Sequence, residues 1–580
     1  MPGLAGFIPA PDLSPDTARD ILLKMQDTLT GPPSMERTPF CSPDVCATLV
    51  DANVHRQAHV IQENLQVWVD GEFYNREDLA QTLKHPATSD GELLIALLKT
   101  RPAALSQIDG IFTAVVHDSQ TRETHLISDR YALRPCFWSQ MNGSLAWASE
   151  MKALCHLPGF HPKINRRALN AFLKVGYFFG HDSWFEGIER LPPATILTYS
   201  PVDRSITQKR YWGWDQIPSF SGAQNEKDLA EELGRRFIRA VGRRCPPEES
   251  VGLVLSGGLD SRAILAAIPN RANPVPVFTF GQPESPDVHI ARQAATRKPA
   301  DHTILEISQD NWLAPRLEGI WWSDGLLDLL HMHGIEHLDT MAARFQSVLN
   351  GAGGDGLAGA GYLFDPKRLD TFLTTRFGLF AQEDDIQHAL REEYARAGSP
   401  HAFYVNHRIR CFTLHGTRLG LFKGITYRLP FLDNEVQEWL FSIPFSLKKN
   451  NRLYRRMLLS TFPEYFRKLP WQYTGVPLSW PNWAVTGYRI GRKLSGKKKS
   501  GFTSYPEWLR TPPASHLIQS LLRSPKACFP DFLPRKQVTQ TWENHLRGQD
   551  HSALLGRYLT FEIFLQQHFE KRWRSAAQDY

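Results

Sequence analysis

Short apolar or alternating runs dominate the first two hundred residues: GLAGFI, CATLV, LQVWVDGEF, GIFTAVVHD, ETHLIS and SLAWAS. Each has the length and patterning of a strand. Helical periodicity intervenes at 16–29, 76–83 and 91–99, so this part reads as an α+β sandwich. Pro192, Pro193 and Pro201, followed by the polar stretch 219–228, mark a boundary. From residue 229 helices and strands alternate, with helices at 229–243 and 285–297 and strands at 251–255, 275–280, 303–307 and 346–349. Such alternation predicts an α/β doubly wound parallel sheet. After about residue 361 the pattern is helical and aromatic. The chain is therefore expected to hold two domains, 1–205 and 221–580.

The second domain opens on the most informative stretch, VGLVLSGGLDSRAILAAI. A buried-strand run ends in Ser256-Gly257-Gly258-Leu259-Asp260-Ser261, and a helical pattern follows at once. Paired glycines let the backbone approach an anion, and a helix N-terminus turns free N–H groups towards it. No lysine holds the place it has in GxxxxGK[ST], which excludes the loop built for γ-phosphoryl transfer. Asp260 is the candidate Mg²⁺ carboxylate, since Mg²⁺ takes one or two carboxylates plus phosphate oxygens. A second strand-to-glycine turn, NGAGGDG, carries Gly351, Gly353, Gly354 and Asp355, and a third segment, YRLPFLD, carries Arg428 and Asp433.

Length and composition restrict the class without naming a chemistry. A chain of 580 residues exceeds a single core, and 42% hydrophobic with 22% charged residues is ordinary for a globular protein. No apolar run of membrane-spanning length occurs, and the N-terminus lacks a signal-peptide pattern, so a cytoplasmic protein without membrane spans is expected. Seven scattered cysteines with no CxxC pair are expected to be reduced thiols. A net charge of +6 does not predict nucleic-acid binding.

Taken in order, the SGGLDS loop, the GAGGDG turn and RLPFLD resemble the synthetase domain of the asparagine synthetase family, with its SGGxDS, GxGxDE-type and RxPFLD patterns. MPGLAGFI, VDGEFYN, DRYALRPCFW and LAWASEMKAL are similar to the same family's N-terminal segments MCGIAGI, NGEIYN, DRFGIKPLYY and LLFASEIKAL, and the resemblance covers residues 1 to about 480. It implies an Ntn-type glutaminase-like domain followed by an ATP-pyrophosphatase domain. ATP and Mg²⁺ would then be bound by Leu255, Ser256, Gly257, Gly258, Leu259, Asp260, Ser261, Phe280, Gly351, Gly353 and Gly354, with Asp260 and Asp355 on the metal. Arg428, and either Lys423 or Lys468, would serve the chemistry. Lys468 opens KLPWQYTGVPL, which resembles the segment carrying a synthetase lysine but has Tyr473 or Thr474 near that lysine's expected position, so that Lys468 or Lys423 would be a substitute.

The departures matter as much. Glutamine-hydrolysing members use an N-terminal Cys as nucleophile, where this chain has Pro2, and losing a nucleophile typically costs on the order of a million-fold. Their oxyanion-binding Asn-Gly pair is Asp70-Gly71 here, and an ionised carboxylate cannot donate a hydrogen bond. Glu72 and Asp90, placed like the family's amino-acid-binding residues, would complete a vestigial glutamine pocket. In the second domain, Ala352 and Gly356 stand where synthetases have Glu. The expected function is thus an ATP-dependent, AMP-forming carbon–nitrogen ligase that adenylates a small-molecule or peptide carboxylate and takes ammonia or a substrate amine rather than glutamine. The alternatives are an ATP-binding scaffold without turnover and a plain asparagine synthetase.

Three further features read more simply. The basic run Arg489, Arg492, Lys493, Lys497, Lys498 and Lys499 is expected to be solvated surface. His331, His333 and His337 lack the context of a zinc site. Trp321, Trp322, Trp471, Trp480 and Trp483 suit packing, with an acceptor pocket as the alternative. Oligomeric state is left open, a homodimer included.

Overall fold

The computed structural model describes the chain except residues 1, 30–34, 52–58, 87, 142, 222–224, 360–362, 378–384, 495–500 and 571–580. The chain folds into two compact units, one formed by Met1–Ile217, Trp322–Leu327 and Asp370–Gly424, the other by Pro218–Trp321, Asp328–Leu369 and Ile425–Tyr580. The first unit's opening segment thus ends near the boundary expected from the prolines, but two segments from beyond residue 221 also belong to it.

The first unit is built on two antiparallel sheets, one of seven strands and one of six. Strand alternation explains their stacking. In Leu65–Phe73, Trp68 faces Leu4, Leu126 and Trp147 between the sheets, while its neighbours Val67 and Val69 face Leu79, Leu93 and Leu97 on the covering helices. Those helices are Arg76–Leu83 and Asp90–Thr100, and Pro15–Thr28 covers the seven-stranded sheet, which gives an α/β/β/α sandwich. Helix Pro15–Thr28 starts where Ser14 accepts the Thr17 N–H and proline occupies the first turn.

One expectation is corrected here. Cys41 and Cys46 lie opposite each other in the antiparallel pair Phe40–Cys41 with Cys46–Asp51 and are joined as a disulfide. The four residues between them form a tight hairpin connection, which brings together two cysteines that their scattered appearance in the sequence separates. The remaining five, from Cys136 to Cys528, form no disulfide among the described residues.

In the second unit the sheet is fully parallel, with spatial order Ala300–Leu305, Val275–Phe280, Val251–Val254, Ser347–Leu349, Thr426–Arg428. The order reverses beside Val251–Val254: the chain first winds outwards through Val275–Phe280, then returns to the other side at Ser347–Leu349. Open α/β sheets bind ligands outside the carboxyl ends of their strands at such a switch point. The fifth strand, Thr426–Arg428, is too short for its periodicity to register in the sequence. Among the described residues, no helix is long and apolar enough to cross a membrane.

Candidate functional site

Strand Val251–Val254 delivers the chain to Ser256, Gly257 and Gly258, and helix Leu259–Ala267 departs from them. The loop is held by its own serines. Ser261 Oγ accepts the Ser256 N–H at 2.9 Å and lies 3.0 Å from Ser256 Oγ, which in turn accepts the Gly258 N–H at 3.1 Å. Arg262 braces it from behind, donating through Nε to the Gly258 carbonyl at 2.8 Å, and burial lowers its guanidinium to about 10.

Asp287 supplies a contact that the sequence did not single out. It sits in the first turn of helix Pro286–Ala295, capped by Ser285, and its Oδ1 accepts the Gly257 N–H at 2.8 Å. Burial pushes its carboxyl above the usual range, opposed by the Gly257 hydrogen bond and the Arg262 charge. The Ser-Pro-Asp sequence is legible as a helix start, but nothing local shows that its carboxylate reaches a loop thirty residues away.

Asp260 lies between the two glycine-rich turns. Its Oδ1 accepts from the Tyr454 hydroxyl at 2.8 Å. A Cβ on Gly354 would overlap its carboxylate, and one on Gly351 would come within 2.9 Å of its Cβ. Gly353 has φ +93°, a conformation glycine adopts without strain. The glycines of this turn therefore make room for Asp260. Asp355 opens the helical turn Asp355–Gly359, and its side chain lies outside the described residues.

Two adjoining cavities open at this end of the sheet. One, of about 360 Å³, is lined by Ser256, Gly258, Asp260, Ser261, Asn350 and Gly351, with Trp471, Gln472 and Tyr473 across from them. The other, of about 900 Å³, shares Ser256, Gln472 and Tyr473 and extends past Leu255 and Phe280 to His333, Tyr488, Arg492 and Phe502. The structure thus brings Leu255, Ser256, Gly258, Leu259, Asp260, Ser261, Phe280 and Gly351 to two adjoining cavities, with Gly257 against Asp287 and Gly354 against Asp260 behind them, while Gly353 packs against Leu357 and Leu432.

The expected catalytic cations are placed differently. Arg428 is buried, donates to the Arg244 carbonyl at 3.1 Å and pairs with Glu249 at 2.7 Å, lining neither cavity. Its position at the end of strand Thr426–Arg428 turns it into the sheet edge. Lys468 is exposed and also lines neither. Lys423 belongs to the other unit, where its Nζ lies 5.5 Å from the Phe422 ring centre. Arg492 is the arginine at the wall of the larger cavity, on helix Asn482–Leu494.

The three histidines have separate partners. His331 pairs with Asp328, His333 Nδ1 meets the Tyr505 hydroxyl at 2.9 Å and His337 Nε2 meets the Glu306 carbonyl at 2.8 Å. Among the described residues no cluster of three or more His, Cys, Asp or Glu could hold a metal. A Mg²⁺ that arrives with a nucleotide needs no such cluster, because phosphate oxygens fill most of its coordination sphere.

In the first unit the residues expected at a vestigial glutamine pocket lie in a buried polar network. Asp70 is buried; its Oδ1 takes Arg134 Nε at 2.8 Å and Nη2 as well, and its Oδ2 accepts from Ser149 Oγ at 2.9 Å. Ser149 Oγ also accepts the Leu4 N–H at 2.9 Å, tying the network to the first strand, next to the buried Pro2. Gly71 has φ +132°, and a Cβ there would overlap the Ile111 carbonyl. Glu72 is buried on the same strand, and Asp90 accepts the Phe73 N–H at 3.1 Å and lies 3.5 Å from Arg76.

Comparison with known proteins assigns both halves. Residues 47–212 match a glutamine amidotransferase domain, and residues 232–470 match asparagine synthase. The chain is 27% identical over 51% of its length to amidase chyE of Penicillium rubens. It is 23% identical over 67% to asparagine synthetase [glutamine-hydrolyzing] 2 of Bacillus subtilis, and 24% identical over 68% to asparagine synthetase [glutamine-hydrolyzing] of Pongo abelii. These alignments take in 47%, 58% and 68% of the relatives, so the chain spans about half to two-thirds of their length. A glutamine phosphoribosylpyrophosphate amidotransferase structure from B. subtilis covers 52% of this chain and 81% of its own at 13% identity, with a TM-score of 0.26 that is too low to bear on the fold. In this order the chain carries a glutamine amidotransferase domain and an asparagine synthase domain, and it is similar to proteins named asparagine synthetase.

Proposed function

We propose that the protein is an ATP-dependent, AMP-forming ligase that activates a carboxylate as its adenylate and passes the acyl group to ammonia or to an amine of the substrate. The observation that carries this reading is the convergence of two glycine-rich turns, from adjacent parallel strands, on Asp260 at the switch point of the sheet. The glycine cradle and the Asp260 carboxylate fit a Mg·nucleotide. Asp260, together with Asp355 by its place in the chain, would hold the Mg²⁺, which would neutralise phosphate charge as pyrophosphate leaves.

The chain's own residues do the rest. Ser256, Gly258 and Ser261 would offer hydroxyls and N–H groups to the phosphates, and hydrogen bonds among them fix the shape of the loop. Arg492 brings positive charge to the larger cavity. Ala352 donates its N–H to Asn350 Oδ1 at 2.8 Å and has no side chain to take a proton from an attacking amine. That supports a substrate whose amine is already neutral or carries its own base.

The test is pyrophosphate and AMP release with panels of carboxylates, each with and without ammonium. Aspartate with ammonium should give no asparagine above background, whereas a larger carboxylate should drive release. Efficient asparagine formation would make this a plain asparagine synthetase; silence with every carboxylate would favour a nucleotide-binding scaffold.

A further inference from the structure

Helix Asn482–Leu494 is unusual in what it leaves in water. Tyr488 and Arg492, one turn apart, face the larger cavity. Trp483 and Ile490, seven residues apart and so on one face, lie on roughly the opposite side and are 79% and 57% exposed. Between them Gly487 and Gly491 have nothing within 4 Å of where a Cβ would stand, so this side of the helix is open. Trp480, just before the helix, packs edge-on against Tyr488 and is partly exposed.

Charge along this stretch of the chain has one sign, and the nearby carboxylates Glu284 and Asp287 lie with Tyr488 and Arg492 on the cavity, not on the outward face. Between Glu464 and Glu507 the chain contains no carboxylate, while Arg489 on the helix and Arg467 and Lys468 earlier in the same stretch are exposed cations. An outward apolar stripe carrying tryptophan, flanked by arginine and lysine without acids, matches the chemistry of a bilayer's headgroup layer: the indole and the aliphatic side chain enter the acyl boundary while the cations meet anionic headgroups. Such docking needs no spanning segment.

We propose that helix Asn482–Leu494 is an interfacial element that docks the second unit on an anionic lipid surface, with the wall of the larger cavity formed by its opposite face. This extends the ligase reading to a substrate presented at a membrane surface, but the docking itself is independent of catalysis and is measured without ATP.

The test is cosedimentation of the full-length protein with vesicles of phosphatidylglycerol and phosphatidylcholine, and with phosphatidylcholine alone. Binding is expected only to the anionic vesicles and should weaken with salt. Trp483→Ser and Ile490→Ser should each lower partitioning at least about fivefold, with unchanged melting temperature and unchanged solution-phase pyrophosphate release. Failure to bind anionic vesicles would overturn the proposal, as would equal binding by both variants. So would capture by polyglutamate or by nucleic acid without vesicle binding, or a dimer that Trp483→Ser dissociates while vesicle binding persists.

Discussion

Gly354→Ala should abolish measurable Mg·ATP binding while leaving the second unit folded. The added Cβ would stand where the Asp260 carboxylate now is. Asp260 cannot readily retreat, because Tyr454 holds its Oδ1 and Gly351 packs against its Cβ. Asp260→Asn tests the same site without adding volume: it keeps the shape, removes the charge and should lower pyrophosphate release by about two to three orders of magnitude. Gly258→Ala offers the contrast. A Cβ there comes only within 3.0 Å of Ser256 Oγ, a hydroxyl that can rotate away, so a smaller loss is expected than at Gly354. Calorimetry with Mg·ATP separates the three. Parent-like binding by Gly354→Ala would remove Asp260 from the nucleotide site.

Much of this site was legible because it is local. A strand, a serine-glycine turn and a helix written consecutively place Ser256 to Ser261 with no long-range information, and the alternation around them is enough to predict a parallel sheet. What sequence could not supply was partnership across the fold. Asp287 and Tyr454 reach the loop from elements 30 and about 200 residues away, and each reads locally as an ordinary helix residue. The cations show the converse. Arg428 and Lys468 stand in segments similar to functional ones, yet the first, at the end of a strand, is a buried partner of Glu249 and the second lies exposed in the bend after helix Pro463–Phe466. Arg492 lines the cavity from a run that charge counting treats as solvated surface. The Cys41–Cys46 pairing was missed for a related reason, since a hairpin register is not visible in spacing alone.

No glutamate should be released from glutamine by the protein, and Pro2→Cys alone should not change that. The thiol would restore a nucleophile, but the oxyanion position would still face Asp70, an acceptor where a donor is required. The structure makes the second half of the repair costly. Arg134 and Ser149 both depend on the Asp70 carboxylate, and the Ser149 hydroxyl also holds the first strand through Leu4. Asp70→Asn would leave the Arg134 charge largely buried without its counter-ion, so this substitution should destabilise the first unit by roughly 3 kcal/mol. Urea unfolding of Asp70→Asn and a glutamate assay on Pro2→Cys and on the double variant test both steps. Adding Arg134→Met to Asp70→Asn should recover most of the lost stability, because it removes the stranded charge. If Asp70→Asn proved as stable as the parent, the ion pair would not be what closes this pocket, and a robust glutaminase rate in the parent would require another nucleophile.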